Sequence, residues 1–145
     1  MYIEENAHFS LIRKLKDSFA DTVKVVDSYP RNQIEVPLIS VDIIRLDFTK
    51  LQIGDYNNIR NITWIVDVFA KNKTQRDRMT FQLMSTLEQK IPIYDFTNGF
   101  NNQNLIEIGA IEPKRLRVEF VEIEVENPEE LFFRAIGSFN AQINF

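Results

Sequence analysis

The chain has 145 residues, 44% of them hydrophobic, with 12 Phe, no Cys, and a formal net charge of −4 at a pI near 5.1. That length holds one core and fits a single domain spanning residues 1–145. Without Cys there are no disulfides, thiol nucleophiles or cysteine-based zinc sites, and the acidic balance argues against a surface built to grip nucleic acid phosphates. No run approaches the ~20 apolar residues of a membrane span. Glu4 and Glu5 interrupt any signal-peptide pattern, so a soluble protein made in a cytoplasm is expected.

The first predicted element is an amphipathic helix from about Asn6 to Ala20, with Phe9, Leu11, Ile12, Leu15 and Phe19 on one side and Ser10, Arg13, Lys14, Asp17 and Ser18 opposite. His8 lies near the apolar arc; with no second His or carboxylate constellation beside it, it reads as a packed or surface histidine. A strand follows over Thr22–Tyr29, ended by Pro30, and Arg31-Asn32-Gln33 reads as a loop. From Val36 to Leu51 a long β segment changes apolar parity, with Ile39, Val41 and Ile43 one way and Ile44, Leu46 and Phe48 the other, which predicts a bulge or bend. Gly54 to Asn58 is a turn.

The clearest run is Ile62–Asp95, read as strand, helix, strand. Ile62, Trp64, Val66, Val68 and Ala70 are apolar on one face of the first strand, and Ile65 and Phe69 mix with Thr63 and Asp67 on the other. This strand is expected to pair antiparallel with the preceding one. Thr74 is the expected cap of the second helix, with Asp77 in its first turn, and Met79, Leu83, Met84, Leu87 and Ile91 form its apolar stripe. Lys90 and Pro92 end it.

The stretch from Phe96 to Asn104 is Asn-rich and aperiodic and reads as an exposed loop, in which Phe100, Asn101 and Asn102 are candidate partner contacts. The last third reads as a long hairpin. Leu116, Val118 and Phe120 alternate, then Val121, Ile123 and Val125 take the opposite parity, predicting a second bulge near Phe120 and Val121. Asn127-Pro128-Glu129-Glu130 is the turn, and Leu131, Phe133, Ala135, Gly137, Phe139, Ala141, Ile143 and Phe145 share one face of the return strand. At ~3.3 Å per residue this strand extends on the order of 45 Å, against a radius of gyration near ~15 Å for such a domain. Part of the hairpin is therefore expected to reach a neighbouring copy, with Asn127, Glu129, Ile143 and Phe145 as candidate contacts. The fold class is α+β: a mixed, mainly antiparallel sheet with two helices packed on it and a long C-terminal hairpin.

No phosphate loop, nucleophile elbow, paired-His helix or calcium loop occurs, so neither an enzyme nor a cofactor or metal site is expected. Glu119, Glu122, Glu124 and Glu126 fall at strand spacing and read first as a solvated face; their functional reading is a row of carboxylates lining a passage, which repels DNA phosphates. Lys71, Lys73, Arg76 and Arg78 read as a basic surface cluster balanced by nearby acids. Phe81, off the apolar stripe of its helix, is a candidate intersubunit contact.

Four stretches carry a family likeness. Trp64-Ile65-Val66-Asp67-Val68-Phe69-Ala70-Lys71-Asn72, then Gln75-Arg76-Asp77, Ile91-Pro92-Ile93-Tyr94-Asp95 and Glu130-Leu131-Phe132-Phe133-Arg134-Ala135 resemble the tail terminator and tail-completion proteins of tailed bacteriophages. The resemblance implies a hexameric ring at the head-proximal end of the tail tube, in the neck of the virion, assembled in the host cytoplasm. Its partners would be further copies of itself, the tail tube protein, and a head-completion or stopper connector, with DNA passing through the lumen without specific binding. The Asn-rich loop after Asp95 departs from the pattern. Two alternatives stand beside this reading: another neck or tail ring, and a small ligand-binding module using Trp64, Tyr94 or His8.

Overall fold

A computed structural model describes residues 1–28, 34–50, 58–100, 104–121 and 133–145. Two helices pack on a six-stranded, mixed, mostly antiparallel sheet, so the chain is an α+β protein. In chain order the elements are α1 (Ile3–Phe19), a 3-10 turn (Ala20–Thr22), β1 (Lys24–Asp27), β2 (Leu38–Lys50), β3 (Asn58–Ala70), α2 (Lys73–Leu87), β4 (Ile91–Tyr94), β5 (Glu107–Val121) and β6 (Phe133–Asn144). Across the sheet the order is β1-β2-β3-β6-β5-β4. Among the described residues only β1 and β2 run parallel; every other neighbouring pair is antiparallel.

The alternation of β3 and β6 sets the core. Ile62, Trp64, Val66, Val68 and Ala70 face the helices together with Ala135, Phe139, Ala141 and Ile143, and Trp64 stacks on Phe139 at 5.3 Å and 23°. Leu11, Leu15 and Phe19 of α1 and Met79, Leu83 and Leu87 of α2 close this layer. Gly137 lies under α2: a Cβ there would lie 3.8 Å from Leu83 Cδ2.

The opposite face of β3 is also buried near its C-terminal end, at Asp67 and Phe69. Asp67 Oδ1 accepts from Arg134 Nε at 3.1 Å and from Nη2 at 2.6 Å. Toward the other end that face becomes polar, with Thr63, Asn140, Arg115, Arg117 and Ser138 around a shallow depression.

Helix α1 fastens both margins of the sheet. On the β4 side, buried Asn6 and Ser10 accept the backbone N–H of Phe96 at 3.0 Å and of Tyr94 at 2.9 Å. These are outward-facing N–H groups at the end of edge strand β4 and just beyond it, which side chains satisfy in place of a further strand. On the β1 side, His8 Nε2 donates to Asp27 Oδ1 at 2.7 Å, while His8 Nδ1 accepts the indole N–H of Trp64 at 3.1 Å. That pair of roles fixes the neutral Nε2–H tautomer. His8 is thus a packed side chain joining helix, core and sheet edge.

The bulge expected in β2 is present, between Ile43 and Arg45. The one expected near Phe120 and Val121 does not occur among the described residues: register with β6 is regular from Arg115 to Val121, and the shift falls between Pro113 and Arg115, with Lys114 as the extra residue. The α2 cap is Asn72, whose side chain accepts from Gln75 N at 2.8 Å; Thr74 lies inside the helix and Asp77 beyond its first turn. Met84 is exposed and Ile91 belongs to β4, so neither is on the buried stripe. The strand expected from Thr22 begins at Lys24. Phe96, placed in an exposed loop by its sequence surroundings, is buried.

Candidate functional site

Exposed large apolar side chains define the surfaces that a lone chain leaves uncovered. Two groups of them stand out. The first is the outward half of β2. Past the bulge, Leu46 pairs with Ile62 and Phe48 with Arg60, on the helix side of the sheet; yet α1 does not extend over them, and they stay 59% and 53% exposed. Arg60 lies between two rings, with its guanidinium carbon 5.4 Å from the centroid of Phe48 and 5.5 Å from that of Phe145. Glu4 of α1 forms an ion pair with Arg60. The aromatic faces are thereby held beside a fixed cation and presented outward.

The second is the flank of α2 and the outer part of β5. Phe81 is 62% exposed, and Met84 and Phe120 are also exposed. Arg76, itself buried, sits 4.6 Å above the Phe120 ring and pairs with Asp77 at 3.1 Å. Of the basic cluster read from the sequence, this arginine is committed inside the fold.

A groove with a cavity of ≈ 430 Å³ lies over α1, between the end of β1 and the segment after β4. Phe9, Phe96 and Phe100 form its aromatic wall, and Arg13, Lys16, Asp17 and Asp27 its polar rim. Phe100 packs edge-on against Phe9, with centroids 4.8 Å apart. Near its entrance Asp95 accepts the N–H of Thr97 at 2.9 Å as well as the Thr97 hydroxyl. Those hydrogen bonds hold the Asp95 carboxyl below the usual carboxylate range. Hydrogen bonding from Asn144, followed by Lys114, does the same for Glu112.

The sequence-derived candidates separate as follows. Phe81, Phe100 and Phe145 are exposed, Phe145 at 68%. Ile143 is 3% exposed and belongs to the chain's own core, so it is withdrawn as a partner contact. Glu119 is exposed on the polar face of β5, which it shares with Arg115 and Arg117, so the described part of that face carries both signs. Asn101, Asn102, Glu122, Glu124, Glu126, Asn127 and Glu129 lie outside the described residues. Sequence reading passed over Leu46, Phe48 and the Arg60 sandwich; the parity change in β2 was the available signal, since it turns apolar residues toward a face the helices do not reach.

Among the described residues no group of three or more His, Asp or Glu side chains is arranged to hold a metal ion, and no helix is long and apolar enough to cross a membrane. No protein-family model matches the chain, and no curated protein matches its sequence.

Proposed function

We propose that this protein is a ring-forming structural component of a phage tail, a tail terminator that closes the head-proximal end of the tail tube and offers a docking surface to the head connector. The observation that carries the reading is the exposed apolar side chains of Leu46, Phe48 and Phe145 on one part of the molecule, with Phe81 and Phe120 on another. A chain that buries Trp64 and Phe139 completely enough to stack them, yet leaves these side chains in water, has surfaces suited to partners. Two separate patches suit an assembly in which each copy meets a neighbour on either side. The four stretches that resemble tail terminators supply the kind of assembly.

Native mass at two protein concentrations, with negative-stain imaging of the same sample, tests this. The expected result is a closed ring near six chains with a central hole, which stops elongation when added to polymerising tail tubes. A compact two-fold dimer that leaves tube growth unchanged would overturn it. The aromatic groove over α1 favours a second reading, a small-ligand module. A concentration-dependent rise in melting temperature with a nucleotide or sugar, from a protein that forms no ring, would support that instead.

A further inference from the structure

Two stretches of sheet edge have no strand beside them among the described residues, and their chemistry fits one to the other. On one side of the sheet β1 pairs only with Leu38–Val41 of β2, so Arg45–Thr49 has no described strand on its outer side. On the other, β4 pairs only with Glu107–Ile111 of β5, so Arg115–Glu119 has none either. We propose that copies of this chain join head to tail by antiparallel pairing of β2 residues Arg45–Thr49 with β5 residues Arg115–Glu119 of the next copy.

Strand direction permits this. Successive antiparallel pairs β2-β3, β3-β6 and β6-β5 make β2 and β5 run oppositely within one chain. Copies that share one orientation around an axis therefore bring β5 of one against β2 of the next in antiparallel sense.

Side chains select the register. In β2, Leu46 and Phe48 point to the helix side and Arg45 and Asp47 to the polar side, as their partners Ile62, Arg60, Thr63 and Asn61 show. In β5, Leu116 and Val118 face the helix side, paired with Phe139 and Gly137, and Arg117 and Glu119 face the polar side. An odd shift between the strands would place apolar residues against charged ones on both faces. Of the even registers, one opposes Leu46 to Val118, Phe48 to Leu116, Asp47 to Arg117 and Arg45 to Glu119. Moving two residues one way sets Asp47 against Glu119; moving two the other way sets Arg45 against Arg117. Like charges directly opposite are destabilising, so the first register wins. It also leaves β4 of one copy and β1 of the next clear of the joint, because both lie outside the paired stretches. Pro113 has no N–H to offer and Lys114 is a bulge, so the edge ends where the pairing does.

The inference rests on the ring reading for its choice of partner edge: β2 paired with a second β2 across a two-fold axis would also oppose Arg45 to Asp47, and only a cyclic assembly requires unlike edges.

The test uses the absence of native cysteine. Chains carrying Leu46→Cys and chains carrying Val118→Cys are mixed and oxidised, since directly opposed strand residues approach disulfide geometry. The expected result is a covalent dimer in the mixture at about tenfold or more over either variant alone, and a lower yield for Leu46→Cys with Leu116→Cys. A second measurement uses charged positions of the polar face, where Asp47 already pairs with Arg45 of its own strand at 3.0 Å. Asp47→Arg or Arg117→Asp alone should weaken association about tenfold by sedimentation, and the two in one chain should restore it. Dimers of Leu46→Cys with itself would mean two-fold pairing and overturn the proposal, as would equal yields in both registers or no cross-link at all. Wild-type rings without the cross-link would overturn the strand joint while the ring reading stands; cross-linked open chains that never close would keep the joint and overturn the ring.

Discussion

Replacing Arg134 with Met should be among the most damaging changes outside the apolar core. Asp67 has a side chain only 4% exposed and receives two hydrogen bonds from Arg134, whose own side chain is 25% exposed. Removing the cation leaves a carboxylate in a nearly dry setting. Loss of one partner from a buried pair costs about 3–5 kcal/mol, and the partial exposure of Arg134 places this case toward about 3. For 145 residues the unfolding entropy near the midpoint is about 0.3 kcal/mol per kelvin, so the melting temperature should fall on the order of 10 °C. Urea unfolding of the wild type, Arg134→Met, and Arg134→Met with Asp67→Asn, at one fixed protein concentration, measures it. The double variant should recover at least half of the loss, because a neutral amide no longer carries an unpaired charge. If Arg134→Met costs under about 1 kcal/mol, or the double variant recovers nothing, the carboxylate is not held by this pair.

Three further outcomes follow from the same geometry. Asn72→Ala should cost about 0.5–2 kcal/mol by chemical denaturation while Thr74→Ala costs only a few tenths, since only Asn72 caps α2. Gly109→Ala should destabilise by about 1–3 kcal/mol and loosen the C-terminal end of β6, read by amide exchange at residues 142–145, because the added Cβ would collide with the backbone O of Asn144. Asp95 and Glu112 both ionise at lower pH in the folded chain than in the unfolded one. Their contribution is therefore fully present above the ordinary carboxylate range and lost as pH falls through the lowered folded values. Melting temperature against pH should drop on the acid side, and Asp95→Asn should make that drop shallower.

How much of this could be read in the sequence depended on whether the determining interaction was local. The alternation of β6 and the parity break in β2 record which side of a strand meets the core, and both appear in the structure as expected. The bulge in β5 was misplaced because Gly109 and Pro113 interrupt the apolar pattern where the shift occurs, while Phe120 and Val121 are adjacent apolar residues in a regular strand at the sheet margin. Asn72 and Thr74 are both competent caps, and only the start of the helix distinguishes them. Phe96 is buried where its ring packs on Phe9 and Asn6, ninety positions earlier, takes its backbone N–H, and no local pattern carries that. The parallel pairing of β1 and the insertion of β6 between β3 and β5 are long-range choices of the same kind. At the surface, Phe81, Phe100 and Phe145 stood out as apolar residues among polar neighbours, but Ile143 shares the stripe of Phe145, and alternation alone does not say where the core stops.

The two margins of this sheet also show that its edges are managed stretch by stretch. Beside β4, the chain places buried Asn6 and Ser10 on α1 to receive two outward N–H groups. Burying polar side chains is costly unless their hydrogen bonds are complete, and here that closure takes the N–H groups of Tyr94 and Phe96 out of competition for other strands. Continuing along the same margin into β5, neither Lys114 nor the residues to Glu119 receive such cover from α1, and the corresponding stretch of β2 keeps Leu46 and Phe48 in water. A monomer selected only for solubility would be expected to blunt these stretches with uniform charge or Pro. Instead each carries charges of both signs on its polar face, Arg45 and Asp47 in β2 and Arg115, Arg117 and Glu119 in β5, and two apolar residues on the other. Such a composition favours one pairing over its neighbours in register, and specificity of register is what an assembly of identical copies requires to close at a fixed number.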